Sequence, residues 1–480
     1  MKTDKNSLFA STIWYTIGNV FLRAVNFLLL PLYSNLILPE DFGVYSLILS
    51  TYTIVAVIYQ GGLQSSLTKF YLESGTFRER KVVFSTILNF VTILSLLLTF
   101  IFIIFSKDLS KLITGNVIYY GDFSLIFMAL FFETISFYIL HLLRTQELSR
   151  NVLKYLVISG ILNFALNILF VYFLQWGIRG IIVSQLFSSF ILTLLMSPIM
   201  LGNYAFALDK SILSKSLLFA VPLIAGGIFS SLVDVLDRFL IDYFRTPEDV
   251  GYYSFAYRFA MVVNLFGISF RTAWLPKSLN NYDKENYSSY FGNVFNRYLL
   301  ISSAILVLVS LFIDDLFKIS FSGINLFDNK YIPGLIVIPL LMGGYLLNGI
   351  AGFFAYYPYK SGKSYHFLIS DGGALIINII LNILLIPIYG MLGAALATLI
   401  SFLLSAIYMV VLAQSNRPLR FDFLKLGRLI LLVIVVLLVS NRWSNIFIDI
   451  GGFLVFSFLS LYIYNEKLKN ILRIKELFNK

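Results

Sequence analysis

Ionisable and amide side chains recur inside stretches of this chain that are otherwise apolar, and their spacing is helical. Thr12, Thr16, Asn19, Arg23 and Asn26 follow one helix face within the run from Leu8 to Leu32. Asp234, Arg238 and Asp242 step by four in a second run, with Asp237 beside them, so Arg238 can pair with a carboxylate on either side. Tyr257, Asn264 and Arg271 step by seven in a third run, where Arg258 adjoins Tyr257. Thr53, Gln60 and Gln64 share a face, and Glu133 and His141 lie eight residues apart. Guanidinium groups bind phosphate oxygens bidentately. Amides and tyrosines such as Tyr52 and Tyr59 suit sugar hydroxyls and rings. Glu133 with His141 suits either a proton relay or a satisfied interhelical hydrogen bond. These residue types offer binding and charge movement, and no catalytic residue is assigned. With no cysteine and only two histidines, His141 and His366, far apart, no metal-ligand cluster or disulfide is visible and no cofactor is expected.

The elements that must position these groups are membrane spans. Of 480 residues, 59% are hydrophobic and 13% charged, and the mean hydropathy is +0.85. A soluble domain carries about 25% charged residues. Apolar runs of about 20 residues recur throughout, each long enough to cross a bilayer as a helix. Fourteen spans are expected, so the fold class is an all-α integral membrane protein. The run from Leu8 is longer than a signal-peptide core and reads as a retained first span.

The net charge of +11 is that of a membrane protein with basic cytoplasmic loops, and no nucleic-acid partner is expected. With the N-terminus inside, 25 of the 36 lysines and arginines fall in inside segments, 7 in outside loops and 4 within spans. Both termini are therefore expected to be cytoplasmic. The basic tail from Lys467 reads as an amphipathic helix on the inner leaflet.

Inside a membrane an ionisable group costs a few kcal/mol or more, which makes each one a functional candidate. The Asp234, Arg238 and Asp242 set reads equally well as an ion-pair ladder that fixes packing. Asp242 and Arg271 near helix ends can snorkel. Arg23 has no carboxylate in its own span, so a partner helix or an anionic ligand must balance it.

The chain also repeats itself. PEDFGVYS at Pro39–Ser46 returns as PEDVGYYS at Pro247–Ser254, 208 positions later. LNFALNILFVYFLQWGIRG, from Leu162, is echoed by IINIILNILLIPIYGMLG, from Ile376: Asn163 and Asn167 match Asn378 and Asn382, and Gly177 and Gly180 match Gly390 and Gly393. In each turn Pro is expected to end one helix, with Glu-Asp before the next favouring its N-terminus. Spans one to six thus repeat as seven to twelve in the same orientation. The expected organisation is a six-helix bundle over 1–205, a second over 206–415, and two further helices with the basic tail over 416–480. Two-bundle repeats are typical of transporters.

PLYSNLILPEDFGVYSLILS with YQGGLQSSLTKFYLE, GYYSFAYRFAMVVNLFGISFRTAWLPKSL, and NIILNILLIPIYGMLGAALATLISF resemble segments of the polysaccharide-biosynthesis oligosaccharide flippases of the MATE-like superfamily, from about Ser7 to Ala413. The resemblance implies alternating-access export of a lipid-linked oligosaccharide, usually on undecaprenyl diphosphate, across a bacterial cytoplasmic membrane, as in O-antigen, lipopolysaccharide or capsule synthesis. Membrane lipids, and the polymerase and glycosyltransferases of the same pathway, are the partners this implies. On that reading Arg23, Asn19, Asn26, Gln60, Gln64, Arg238, Arg258, Asn264 and Arg271 are substrate-binding candidates. Glu133, His141, Asp234 and Asp237 are coupling-ion candidates. The nearer rival is a multidrug/cation antiporter of the same superfamily, which should favour acidic over arginine-lined cavities. A membrane glycosyltransferase or polymer ligase would carry a larger outside loop than the longest one here, from Asp314 to about Tyr331.

Overall fold

The computed structural model describes residues 5–464, apart from 322, 364, 420, 421, 443 and 444. The expected amphipathic tail from Lys467 lies outside the described residues. Two compact units are present, Met1–Asp242 and Tyr243–Lys480. This division by contact falls near the end of a helix, at a different place from the repeat boundary drawn at 205/206.

The first unit runs α1 (Lys5–Leu28), α2 (Leu30–Leu36), α3 (Pro39–Gln60), α4 (Gln64–Glu73), α5 (Phe77–Ile104), α6 (Ser106–Thr114), α7 (Tyr120–Thr145), α8 (Ser149–Asn167), α9 (Gly177–Gly202) and most of α10 (Lys210–Phe244). A π-helical turn, Ile168–Phe173, extends α8. α7 packs on α9 and α5, and α1 on α8. Leu67, Phe84, Ile87, Tyr138, Leu142 and Met196 lie in one buried cluster with Ala220 of α10.

The second unit holds α11 (Pro247–Asn281), α12 (Tyr287–Lys318), a two-residue β-ladder pairing Ser320 with Asn325, and a 3-10 segment Asn329–Val337. Then come α13 (Ile338–Phe354), α14 (Tyr356–Ser361), α15 (Tyr365–Phe367), a π-helical turn Leu368–Gly372, α16 (Gly373–Tyr389) and α17 (Met391–Asn416). α13 packs on α17 and α11, and α16 on α17. The last two helices, α18 (Phe423–Arg442) and α19 (Ile446–Tyr464), pair with each other and rest on α12.

Twelve helical stretches among the described residues are long and apolar enough to cross a membrane. They coincide with twelve of the expected spans, and the other two expected spans fall on the helices α1 and α18. The turn logic is corrected in one respect. Pro39 and Pro247 do not end the preceding helix; each is the first residue of the next, with Glu40–Asp41 and Glu248–Asp249 inside the first turn. Proline suits that position because its missing N–H has no intrahelical acceptor there. Thr246 caps the second copy, its hydroxyl accepting from the Asp249 N–H at 3.2 Å.

The repeated motifs make repeated contacts. A Cβ on Gly180 would come within 2.9 Å of the Phe170 carbonyl oxygen, and one on Gly393 within 2.4 Å of the Leu385 carbonyl oxygen. Phe170 and Leu385 are 215 positions apart, as are Asn163 and Asn378. One glycine device therefore sets the same helix–helix approach in both units. The 35-residue stretch Pro39–Glu73 breaks between α3 and α4 at Gly61 and Gly62, both left-handed at φ 59° and 60°. Its 35-residue counterpart Pro247–Asn281 is one helix, with Ser269 and Phe270 at the corresponding positions.

Candidate functional site

In the first unit, polar side chains from five helices join one hydrogen-bonded chain. The Tyr33 hydroxyl of α2 donates to Asn167 Oδ1 of α8 at 2.9 Å. Asn167 Nδ2 donates to the Asn163 carbonyl at 2.8 Å. Asn163 Nδ2 donates to Gln185 Oε1 of α9 at 3.2 Å, and Gln185 Nε2 to Glu133 Oε2 of α7 at 3.0 Å. The Tyr52 hydroxyl of α3 donates to the same Glu133 oxygen. Inside a bundle, each member prevents its neighbours from being left without a partner, which would cost about 1–3 kcal/mol per group.

Glu133 and His141 do not form one pair. His141 Nε2 instead meets the Thr68 hydroxyl at 2.9 Å, and that hydroxyl meets Thr145 at 3.1 Å. Helical spacing of eight put them on one face, but two turns of rise separate them by more than a hydrogen bond. Tyr59, grouped from sequence with the sugar-facing aromatics, is fully buried, its hydroxyl 3.0 Å from that of Thr99. Gln60 and Gln64 are half-buried beside the α3–α4 break. The Gln60 carbonyl accepts from Tyr138, and Gln64 Oε1 has no partner among the described residues.

Arg23 and Asn26 are exposed on α1, and no ion pair among the described residues includes Arg23. The side chain of Asn19 lies outside the described ones. On α10, Asp234 is exposed while Asp237 and Arg238 are buried. Arg238 lies 3.5 Å from Asp237 Oδ1 and donates to the Asp234 backbone carbonyl at 2.7 Å. The adjacent Asp237, rather than only the residues four away, thus joins this ladder. Asp242 is half-buried.

In the second unit, α11 and α13 border a small half-open recess with room for about one water molecule. Asn264 and Arg271 line it from α11, Tyr345 and Asn348 from α13. The bare surface of Gly352 lets the arginine lie flat, since a Cβ there would come within 2.9 Å of Arg271 Cδ. The one hydrogen bond of the Asn264 amide to a described residue is a weak contact with Met261 Sδ at 3.5 Å. Arg271 and Asn348 make none. The Asp371 carboxylate, in the π-helical turn, lies within electrostatic reach of Arg271 without forming an ion pair with it. Arg258 is half-buried on the same helix.

The structure thus groups Asn264 with Arg271 and Glu133 with Tyr52, and leaves His141 apart from Glu133. Sequence reasoning missed Tyr345, Asn348 and Asp371. One signal for Asn348 was available: it stands 215 positions after Glu133, the offset that also relates the left-handed residues Glu147 (φ 60°) and Gly362 (φ 70°). Among the described residues, no group of three or more histidine, aspartate or glutamate side chains is arranged to hold a metal ion.

The family model for polysaccharide biosynthesis proteins matches residues 8–280. An uncharacterized membrane protein of Methanocaldococcus jannaschii is 24% identical over 522 aligned positions, covering 97% of both chains. A probable low-salt glycan biosynthesis flippase of Haloferax volcanii is 25% identical over 209 positions, 42% of each chain. Among solved structures, a lipid II flippase in an inward closed conformation superposes with a TM-score of 0.74 at 18% identity, covering 94% of this chain and 99% of that one. An inward-facing multidrug transporter of the MATE family gives 0.70 at 14% identity, over 82% and 94%.

Proposed function

This chain belongs to the polysaccharide biosynthesis protein family, with a MATE-like fold, and from that premise we propose that it flips a polyprenyl-diphosphate-linked oligosaccharide outward across a cytoplasmic membrane. It is a multi-pass membrane protein and a transporter rather than an enzyme. The observation that carries the reading is the set of arginine and amide groups held in apolar helices without a hydrogen bond or ion pair among the described residues: Arg23 in the first unit, and Arg271 with Asn348 in the second. Such groups suit a ligand that brings phosphate oxygens and hydroxyls together.

Transport proceeds by alternating access of the two six-helix repeats, and the polyprenyl tail stays in lipid. Arg23 takes the diphosphate, with the exposed amide of Asn26 on the same helix assisting. Moving the diphosphate outward is favoured by an inside-negative potential, by about 2.3 kcal/mol per charge per 100 mV. The Glu133 carboxylate, held by Tyr52 and Gln185, is the leading coupling-ion group, and both termini are cytoplasmic. The probable low-salt glycan biosynthesis flippase of Haloferax volcanii supports the substrate class.

The test is deletion of the gene in its own host. Lipid-linked oligosaccharide should then accumulate on the cytoplasmic face. Arg23→Ala should fail to complement at matched protein levels, and Arg23→Lys should complement in part. Normal surface glycan in the deletion strain would contradict the reading.

A further inference from the structure

We propose that α6 is a membrane-interface helix, resting in the leaflet on the side of the first PED turn. Its apolar stripe lies among acyl chains, and Lys107 and Lys111 point toward headgroup phosphates. The proposal goes beyond the flippase reading and does not depend on it.

The neighbouring spans fix the depth of α6. Lys81 and Lys107 are separated by 25 uncharged residues, and Asp122 and Arg144 by 21 with Glu133 as the one carboxylate. As helix, these runs are about 37 and 32 Å long. The hydrocarbon core is about 30 Å thick. Segment 106–121 therefore leaves one span and enters the next at the membrane boundary. There α6 packs on α7, on α3 and on a 3-10 turn, Val117–Tyr119. Tyr119 lies within electrostatic reach of Glu40 and Asp41, which puts this segment on the side of the first PED turn.

The helix has three sides. At 3.6 residues per turn, Phe105, Leu109 and Leu112 share one stripe and Lys107 and Lys111 the opposite one, with Ser106 and Ser110 between them. The structure buries both serines and exposes Phe105, Leu112 and both lysines. A helix on a water-facing surface buries its apolar stripe and exposes its polar one. Here the serines pack inward and the apolar stripe faces out. Leu112 is 78% exposed, and Ile118 in the adjoining 3-10 turn is 69% exposed. Polar groups of the turn are used internally. The Ser110 hydroxyl donates to the Asn116 carbonyl at 2.5 Å, and Asn116 Oδ1 accepts from the Ile118 N–H at 3.0 Å. Asp108 sits in the first turn, where a carboxylate suits the helix N-terminus.

An apolar stripe turned outward at this depth selects acyl chains as its occupant. Lysines on the opposite side then reach headgroups and water, as in helices that lie in a membrane interface. Lys107 Nζ also lies 5.6 Å from the centre of the Tyr120 ring, an aromatic of the kind enriched at that level. In the second unit, the connection between α12 and α13 carries the β-ladder and the 3-10 segment Asn329–Val337 in this place.

The chain has no cysteine, so Lys111→Cys, Leu112→Cys and Ile118→Cys can each carry a single nitroxide label. The full chain is placed in vesicles of phosphatidylethanolamine and phosphatidylglycerol. Each label is relaxed by oxygen, which partitions into lipid, and by a water-soluble nickel chelate. The oxygen-to-nickel ratio should be at least about five-fold higher at 112 and 118 than at 111, because the apolar face of such a helix lies about 5–10 Å deep. Monodisperse elution and the Tm of the unmodified chain establish that each labelled variant is folded. Equal ratios at all three positions would put the stripe in water and overturn the proposal. Exclusion of both reagents from 112 and 118 would mean that a protein surface, such as a second copy of this chain, covers the stripe, and would overturn it as well.

Discussion

The two repeats share a backbone plan and differ in what their polar groups do. Glu133 and Asn348 stand at corresponding positions, 215 apart, on helices that pack alike. Glu133 is held by Tyr52 and Gln185. Asn348 faces a recess and bonds to no described residue. The asparagine pairs share one bond and differ in another. Asn167 Nδ2 donates to Asn163 Oδ1 at 3.1 Å and Asn382 Nδ2 to Asn378 Oδ1 at 2.9 Å, but Asn167 Oδ1 accepts from the Tyr33 hydroxyl, whereas Asn382 Oδ1 has no partner among the described residues and the sequence position corresponding to Tyr33 carries Ile241. At the matched pair Glu133 and Asn348, one side chain is held by hydrogen bonds within its unit and the other faces an open recess.

The largest expected effect is all-or-none and tests whether the repeats run in the same direction. The natural chain lacks cysteine, so single replacements report cleanly. Glu40→Cys and Glu248→Cys, in the two matched turns, should both react with an impermeant thiol reagent in intact cells. Arg78→Cys and Lys363→Cys should both be shielded. Opposite labelling of the two turns would break the parallel repeat.

The next effect concerns the glycine that both units use. Gly393→Ala places a methyl against a backbone carbonyl at 2.4 Å, and Gly180→Ala does so at 2.9 Å. Neither carbonyl can move without its helix. Both variants should lose about 2–4 kcal/mol, the former more, read as lowered Tm and reduced monodisperse yield.

A smaller difference separates the two corresponding polar positions. Glu133→Ala removes the acceptor of both Tyr52 and Gln185 and should destabilise the protein by about 1–3 kcal/mol. Asn348→Ala should stay within about 0.5 kcal/mol, as expected for a residue that bonds to no described group. Equal losses in thermal unfolding under one detergent condition would erase the contrast. The smallest expected effect sharpens it. Each of Asn167→Leu and Asn382→Leu removes the donor to its neighbouring asparagine oxygen, but only Asn167→Leu also strands the Tyr33 hydroxyl, so it should cost about 1 kcal/mol more.

Much of this architecture was legible in the chain. The repeated PED turns and the Asn–Gly echo located matched helices, because helix starts and glycine contacts leave local marks. The site was legible only in part. Arg271 and Asn264 stood out by type and spacing. Asn348 and Tyr345 did not, because a single amide or tyrosine in a chain that is 17% aromatic carries no mark of the direction it faces. Glu133 and His141 looked like a pair because periodicity reports a shared face and not a distance along the axis. Asp371 gained meaning only when the π-helical turn brought it within reach of Arg271, a contact across elements about 100 positions apart in sequence.

The most direct measurement is transbilayer movement in proteoliposomes that contain only the purified full chain and a fluorescent polyprenyl-diphosphate oligosaccharide. With an imposed potential, negative on the side of the labelled lipid, the probe should cross far faster than in protein-free vesicles, and Arg23→Ala should abolish most of the gain. Movement no faster than in empty vesicles, or export of an organic cation while the glycolipid stays in place, would contradict the assignment of this chain as a flippase.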